Sequence, residues 1–283
     1  MKRITTLIVA VLFTAGMAFG QNNNATVDQD GTDQTNTVVQ TGNSNVTNVE
    51  QAGDGLTSEV TQTGNRNRAT QDQSGIINES FITQIGNDNN ATQLQTDRGN
   101  VNVSPNRQVN TADILQVGNR NRAKQDQSRE VKLGEIEQRG NDNFADQLQT
   151  GVASSAAIDQ IGNRNRATQN QDLNAFYAQS KQIGNDNVST QVQDGMRQKA
   201  EIEQRGDRNN ASQTQLGTTL FNQGDFSLLS ISQFGDDNRA IQDQEQVDGT
   251  ALRNSATIIQ RSSNNFAKQT QSGNGNVASI TQN

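Results

Sequence analysis

Residues 84–95 read QIGNDNNATQLQ and residues 160–171 read QIGNRNRATQNQ, differing only at Asp88/Arg164, Asn90/Arg166 and Leu94/Asn170. Aligned on its first glutamine, the phrase recurs at Gln40, Gln62, Gln84, Gln116, Gln138, Gln160, Gln182, Gln204, Gln233 and Gln260. Six of the nine steps are 22 residues, and the others are 32, 29 and 27. A fixed period in this range is the mark of stacked repeats. The shared pattern is Q-x-G-x-x-N-x-A-x-Q-x-Q. Asn89, Ala91, Gln93 and Gln95 alternate, which places them on one face of a strand, and Ser80, Ile82, Gln84 and Gly86 alternate before them. Each unit therefore reads as strand, tight turn, strand. The G-N-x-N turn is expected to take its reversal angles from its glycine and asparagines.

Ala91 and Gln95 lie 11 residues beyond Ser80 and Gln84, so each unit is two half-repeats of one plan. The expected fold is all-β. It is a β-solenoid of two-strand rungs with a 22-residue period, stacked parallel and in register along two facing sheets, a single repeat domain over residues 21–283.

In-register stacking explains why buried positions are polar. A buried amide without a partner costs about 1–3 kcal/mol, but stacked amides donate to one neighbour and accept from the other. The expected ladder comprises the ten first glutamines above and Asn67, Asn89, Asn121, Asn143, Asn165 and Asn187. It also includes Ala69, Ala91, Ala123, Ala145 and Ala167, with the last glutamines Gln73, Gln95, Gln127, Gln149 and Gln171. A slip by one residue would turn all of them outward, so the pattern specifies register. At the turn the variable residue alternates in sign: Arg66, Asp88, Arg120, Asp142, Arg164, Asp186, then Arg208 and Asp237. Stacked like charges would repel, whereas alternation attracts. Exposed pairs are worth only ~0.2–1 kcal/mol, so registry is the expected gain. Extra residues fall after the second strand only, around 98–109, 217–225 and 245–252.

Hydrophobic residues make up 30% and aromatics 4% of the chain, too little for an ordinary core, while a single proline, Pro105, argues against a disordered linker. Residues 1–20 read as a secretory signal: Lys2 and Arg3, an apolar stretch over 4–17, and Ala18-Phe19-Gly20 before Gln21. The apolar run is shorter than the ~20 residues of a spanning helix, and no second one follows. Without Lys2 and Arg3 the net charge moves from −7 to −9, a poor match to nucleic acid, which rewards clustered positive charge. Cysteine and histidine are absent, removing disulfides, thiol chemistry, the usual general base and the commonest metal ligand. No cofactor is implied.

The phrase, with Gly, Asn, Ala and Gln at two, five, seven and eleven residues after its first Gln, resembles the curlin repeat of bacterial curli subunits across nearly the whole chain after residue 22. The resemblance implies a secreted, extracellular functional amyloid. It implies export through a dedicated outer-membrane channel and polymerisation on a nucleator subunit into biofilm fibres attached to the cell surface. It leaves open the minor, nucleating role for this chain. Three features depart from the family. The serine six before the first Gln is irregular (Asn78, Ser154, Phe176) and the second turn glycine is Arg or Asp; the chain has ten copies of the repeat, about twice the family's usual number; and repeat-like sequence starts near Asn23 without a Gly-rich leader. The half-repeats at the two ends (Asn23 to Gln29, Asn276 to Gln282) suggest a homopolymer in which copies share a rung head to tail. Two other classes are possible: a monomeric adhesive or ice-binding solenoid using Thr70, Thr92, Thr168 and Thr190, and a hydrolase using Glu135/Glu137 or Glu201/Glu203.

Overall fold

Alternation dominates because each strand buries one face and leaves the other in water. A computed structural model describes residues 8–13, 22–96, 110–129, 132–152, 154–218, 227–246 and 254–283. The three insertions lie largely outside these residues, as do most of residues 1–20, where a secretory signal is expected. The chain divides into two units, Met1–Asp142 and Asn143–Asn283.

In the first unit, strands β1 (Ile8–Phe13), β3 (Thr35–Thr41), β5 (Thr57–Asn65), β7 (Asn78–Asn87), β9 (Asn110–Asn119) and β11 (Lys132–Asn141) form one parallel wall. The facing wall holds β2 (Asn24–Thr32), β4 (Val46–Asp54), β6 (Arg68–Ile76), β8 (Asn90–Thr96) and β10 (Arg122–Ser128). Equivalent residues stack on one another: Gln62 on Gln84, Gln84 on Gln116, Ala69 on Ala91, Ala91 on Ala123. Parallel sheets covered on both faces read as continuous apolar runs. These walls are covered on one face only, which is why an alternating pattern serves a parallel sheet here.

The interior is thin. Val60, Ile82, Ile114 and Ile136 of one wall are fully buried, as are Ala69, Ala91 and Ala123 of the other. Fully burying a branched aliphatic side chain contributes about 1.5–3 kcal/mol. With so few per rung, the rest of the core must be polar and satisfied.

The second unit follows the same plan. One wall contains β13 (Ser154–Ile161), the later part of β14 (Arg166–Ile183), the later part of β15 (Val188–Arg205), β17 (Ser227–Phe234), β19 (Ser255–Gln260) and β21 (Val277–Gln282). The other contains β12 (Phe144–Gln149), the first parts of β14 and β15, β16 (Asn210–Thr218), β18 (Arg239–Glu245) and β20 (Phe266–Ser272). Ile202, Ile231 and Ile258 pack with Ala211, Ala240 and Ala267 as one cluster.

At the G-N-x-N turn the expectation about backbone angles needs correction. The left-handed residue is the charged one: Arg66, Asp88, Arg120 and Asp142 have φ of +55°, +58°, +55° and +58°. The turn asparagines in these repeats do not share it. Gly86 has φ +123°, and a Cβ there would stand 1.9 Å from the carbonyl oxygen of Gly118 in the next rung. Glycine is required by backbone approach, not only by the turn. Asp visits the left-handed region at modest cost, Arg at more. The opposite corner repeats the geometry 11 residues earlier, with Gly75 at φ +112° and Ile77 at +56°. The two half-repeats therefore share backbone as well as sequence.

Candidate functional site: amide columns and open edges

Each buried amide faces its own kind one rung away. In the first unit, Gln40 Nε2 donates to Gln62 Oε1 at 2.8 Å, and Gln62 to Gln84, Gln84 to Gln116 and Gln116 to Gln138 follow at 2.8, 2.8 and 2.9 Å. The Gln84–Gln116 step spans 32 residues rather than 22 without stretching the bond. The column in the second unit runs Gln160, Gln182, Gln204, Gln233, Gln260 and Gln282, at 2.8–2.9 Å throughout. The second amide proton crosses between the walls, as from Gln84 to Arg68 O at 3.0 Å and from Gln182 to Arg166 O at 3.0 Å. Both protons and the acceptor are thereby used, which removes the burial penalty.

The last glutamines make a parallel column. Gln51, Gln73, Gln95 and Gln127 link at 2.8, 2.9 and 3.0 Å in the first unit, and Gln149, Gln171 and Gln193 link at 3.0 Å in the second. A third glutamine column was not among the expected ladder residues. Gln71 donates to Gln93 and Gln93 to Gln125, at 3.0 and 2.9 Å; Gln147, Gln169, Gln191, Gln213 and Gln242 continue the arrangement in the second unit. Its signal was the ninth residue after each first glutamine, which is Gln in every repeat from Gln71 onward.

The asparagine column runs the other way. Asn89 Nδ2 donates to Asn67 Oδ1 at 3.1 Å, and Asn187 to Asn165 at 3.1 Å, toward the N-terminal neighbour. The same Nδ2 atoms hold the turn carbonyl of the following rung: Asn67 on Gly86 O, Asn89 on Gly118 O and Asn121 on Gly140 O at 2.8 Å. Asn143, Asn165 and Asn187 do the same to Gly162, Gly184 and Gly206 at 2.7–2.8 Å. Ala69, Ala91, Ala123, Ala145 and Ala167 are buried between the amide columns.

The turn charges resolve into separate couples. Arg66 grips Asp88 through two bonds of 2.7 and 2.8 Å, Arg120 grips Asp142 at 2.6 and 2.7 Å, and Arg164 grips Asp186 at 2.7 Å twice. Arg208 grips Asp237 likewise. The hydrogen bonds from Arg66, Arg164 and Arg208 hold Asp88, Asp186 and Asp237 below the usual carboxylate range. On the outer walls the opposite occurs. Burial, then the neighbouring Glu50, pushes Asp72 up; burial, then Glu135 and Glu137, pushes Asp113 up.

Of the paired glutamates, Glu137 is in an ion pair with Arg139, Glu203 with Arg205 at 2.7 Å and Glu201 with Lys199 at 2.8 Å, all on the outer face. Thr70 stacks on Thr92 and Thr168 on Thr190, but Lys124 follows Thr92 and Asp146 precedes Thr168.

The columns have unsatisfied ends. Gln29 Oε1 and Gln40 Oε1, in the first rungs of the first unit, are buried without a partner. In the second unit Gln269 Nε2 is a buried donor without a partner, and Gln271 and Gln282 each show a single bond from Nε2, to Ser255 O and Phe266 O at 3.0 Å. Among the described residues, β2 pairs only with β4, β20 only with β18 and β21 only with β19. No helix among the described residues is long and apolar enough to cross a membrane. No family model matches the chain, and no curated protein matches it.

Proposed function

We propose that this chain is the structural subunit of an extracellular functional amyloid of the curli kind, polymerising end to end into fibres for biofilm matrix, adhesion and surface colonisation. Its function is mechanical and requires no cofactor or catalysis. By the curlin resemblance its partners are further copies of itself, a nucleator subunit and an outer-membrane secretion channel.

One observation carries the reading: the glutamine columns are directional. Each glutamine donates toward its C-terminal neighbour, so the first rungs offer bare acceptors on Gln29 and Gln40 while the last offer amide protons on Gln269, Gln271 and Gln282. Among the described residues the open edges of β2, β20 and β21 carry the unpaired amide groups of Gln29, Gln269, Gln271 and Gln282. Two copies joined head to tail place donor on acceptor in a column already in phase. Joined head to head, acceptor meets acceptor. The same geometry serves a major subunit or a nucleator.

Removing residues 273–283 takes away β21 and its amides. Growth on preformed fibres, followed by dye fluorescence, is expected to slow severely in that variant, while the chain without residues 1–20 forms fibres with cross-β diffraction. Unchanged growth of the shortened chain would rule out this joint. A chain that stays monomeric on size exclusion at all concentrations would favour the adhesive solenoid instead.

A further inference from the structure

The edge that offers Gln40 is already occupied in this structure. β1 lies parallel to β3 with Ile8 on Thr35, Val11 on Val38 and Phe13 on Gln40. On the other side of β3, β5 sets Val60 on Val38 and Gln62 on Gln40. In the second unit β21 sets Ile280 on Ile258 and Gln282 on Gln260. Residues 8–13 therefore take the place of a rung's first strand, in phase with the repeat: residue 11 stands at the aliphatic position and residue 13 at the amide position.

The match is incomplete in one respect. Main-chain pairing needs no particular side chain, so β1 can satisfy the β3 edge. The column needs an amide at residue 13, and phenylalanine has none; Gln40 Oε1 remains without a partner even with β1 in place. The facing edge, β2, has no such strand among the described residues, and Gln29 Oε1 is also unpartnered.

We propose that residues 8–13 act as a plug. They occupy the β3 edge and keep it from taking β21 of a second copy for as long as the export segment remains attached. The inference rests on the end-to-end reading above and adds its timing. β21 carries what the plug lacks: with Ile280 set on Val38, Gln282 falls on Gln40 and can donate its free amide proton to Oε1. The plug thus covers the edge against self-association yet is the weaker occupant, so loss of residues 1–20 exposes an edge already shaped for the next copy.

Three chains test it: residues 1–283, residues 21–283, and residues 1–283 with Val11→Pro, which removes a main-chain donor and disfavours β1. Each is added to sonicated fibres of the 21–283 chain. The intact chain is expected to elongate them about tenfold more slowly than 21–283, equivalent to ~1.4 kcal/mol of edge occupancy, and Val11→Pro is expected to recover most of that rate. Amide exchange of residues 35–40 in the monomer is expected to be slower in the intact chain than in the other two. Equal elongation by 1–283 and 21–283, or a Val11→Pro chain as slow as its parent, would overturn the plug alone. Failure of 21–283 to elongate its own fibres would overturn the end-to-end reading and the plug with it.

Discussion

The two corners of a rung share one backbone plan and treat it differently. At the inner corner, in G-N-x-N, Gly42, Gly64, Gly86 and Gly118 each stand against the carbonyl of the next rung, and Asn45, Asn67, Asn89 and Asn121 hold that carbonyl at 2.8 Å. At the outer corner the residue equivalent to that asparagine is Gln34, Leu56, Asn78, Asn110 and Lys132 in successive rungs, all buried. All three insertions enter on the outer side. Where the residue holding the carbonyl never changes, an added residue would break a contact on both sides. At the outer corner glycine also stands against the next carbonyl, as Gly31 does against Gly53 O and Gly53 against Gly75 O, but the residue beside it varies, and the chain can take in extra residues and return in register, as the unstretched bond between Gln84 and Gln116 shows.

The sharpest way to break this comparison is to place a methyl group at the close backbone approach of the inner corner and at the left-handed position of the outer one. A Cβ on Gly86 would lie 1.9 Å from Gly118 O at φ +123°, whereas one on Gly55 meets nothing nearer than Ile77 Cγ1 at 3.4 Å, at φ +66°. Gly86→Ala is expected to cost about 3 kcal/mol or more, combining backbone strain with displacement of the neighbouring turn. Gly55→Ala is expected to cost ~1 kcal/mol, the left-handed penalty alone. Urea unfolding midpoints of the monomer measure both. Equal losses would mean that the close approach of Gly86 to the next rung carries no cost beyond its backbone angle.

Next in size is a polar-to-apolar exchange at equivalent positions. Asn89→Leu strands Gly118 O and removes the acceptor of Asn121 N, costing about 1–3 kcal/mol per orphaned group. Asn78→Leu places at the outer corner the residue that Leu56 already provides one rung earlier; it gives up the bonds of Asn78 to Ser74 O and from Asn110 Nδ2, but Asn110 Nδ2 keeps its bond to Arg129 O at 3.0 Å. Its expected cost is the smaller, ~1 kcal/mol. If Asn78→Leu proves as damaging as Asn89→Leu, side-chain variety at the outer corner does not signify tolerance.

The inner corner was legible in the sequence because its constraints fall on fixed residue types at fixed spacing. Gln84, Asn89, Ala91 and Gln95 declare both the period and the inward face, and register follows from them. What sequence did not give was conformation at positions whose residue type points elsewhere. Nothing about Arg66 or Ile77 announces a left-handed backbone, since neither favours it. The third glutamine column was visible in the repeat but was not separated from its neighbours. The direction of the asparagine bonds depends on which carbonyl lies within reach, which spacing does not encode. The outer corner was illegible because Leu56, Asn78 and Lys132 share burial and nothing in chemistry.

Acid titration sets the turns against the walls. Asp88, Asp186 and Asp237 have folded-state values below the usual range, so their contribution is present above the unfolded value of about 3.9 and is lost as pH falls through the lower folded values. Asp72 and Asp113 have raised folded-state values, so their contribution is complete below about 3.9 and is lost as pH rises through the raised values. Monomer stability is therefore expected to rise on mild acidification from neutrality and to fall again below about pH 4. Asp113→Asn should flatten the rise, and Asp88→Asn the fall. A monotonic loss from pH 7 downward would show that the wall carboxylates are not strained.

The smallest effect is the most discriminating, because two terms of similar size oppose each other at one residue. Arg66 is 64% exposed in its side chain, so its forked bond to Asp88 is a weak, solvent-screened ion pair, weakened further by salt. The same residue holds φ at +55°, a conformation that costs a non-glycine residue about 1 kcal/mol or more and costs glycine nothing sterically. Arg66→Gly removes both terms, at the added expense of a more flexible unfolded chain. The expected outcome is a midpoint nearly unchanged in low salt and slightly raised in high salt, where the parent has already lost its ion pair. Asp88→Gly should be worse, since aspartate suffers less in that region and gives up the same partner. If instead Arg66→Gly clearly lowers the midpoint in both salts, the couples hold the turn in place. If it is neutral, their alternation serves to tell one rung from the next, and the place to see its loss is in fibres with rungs out of step rather than in the unfolding curve.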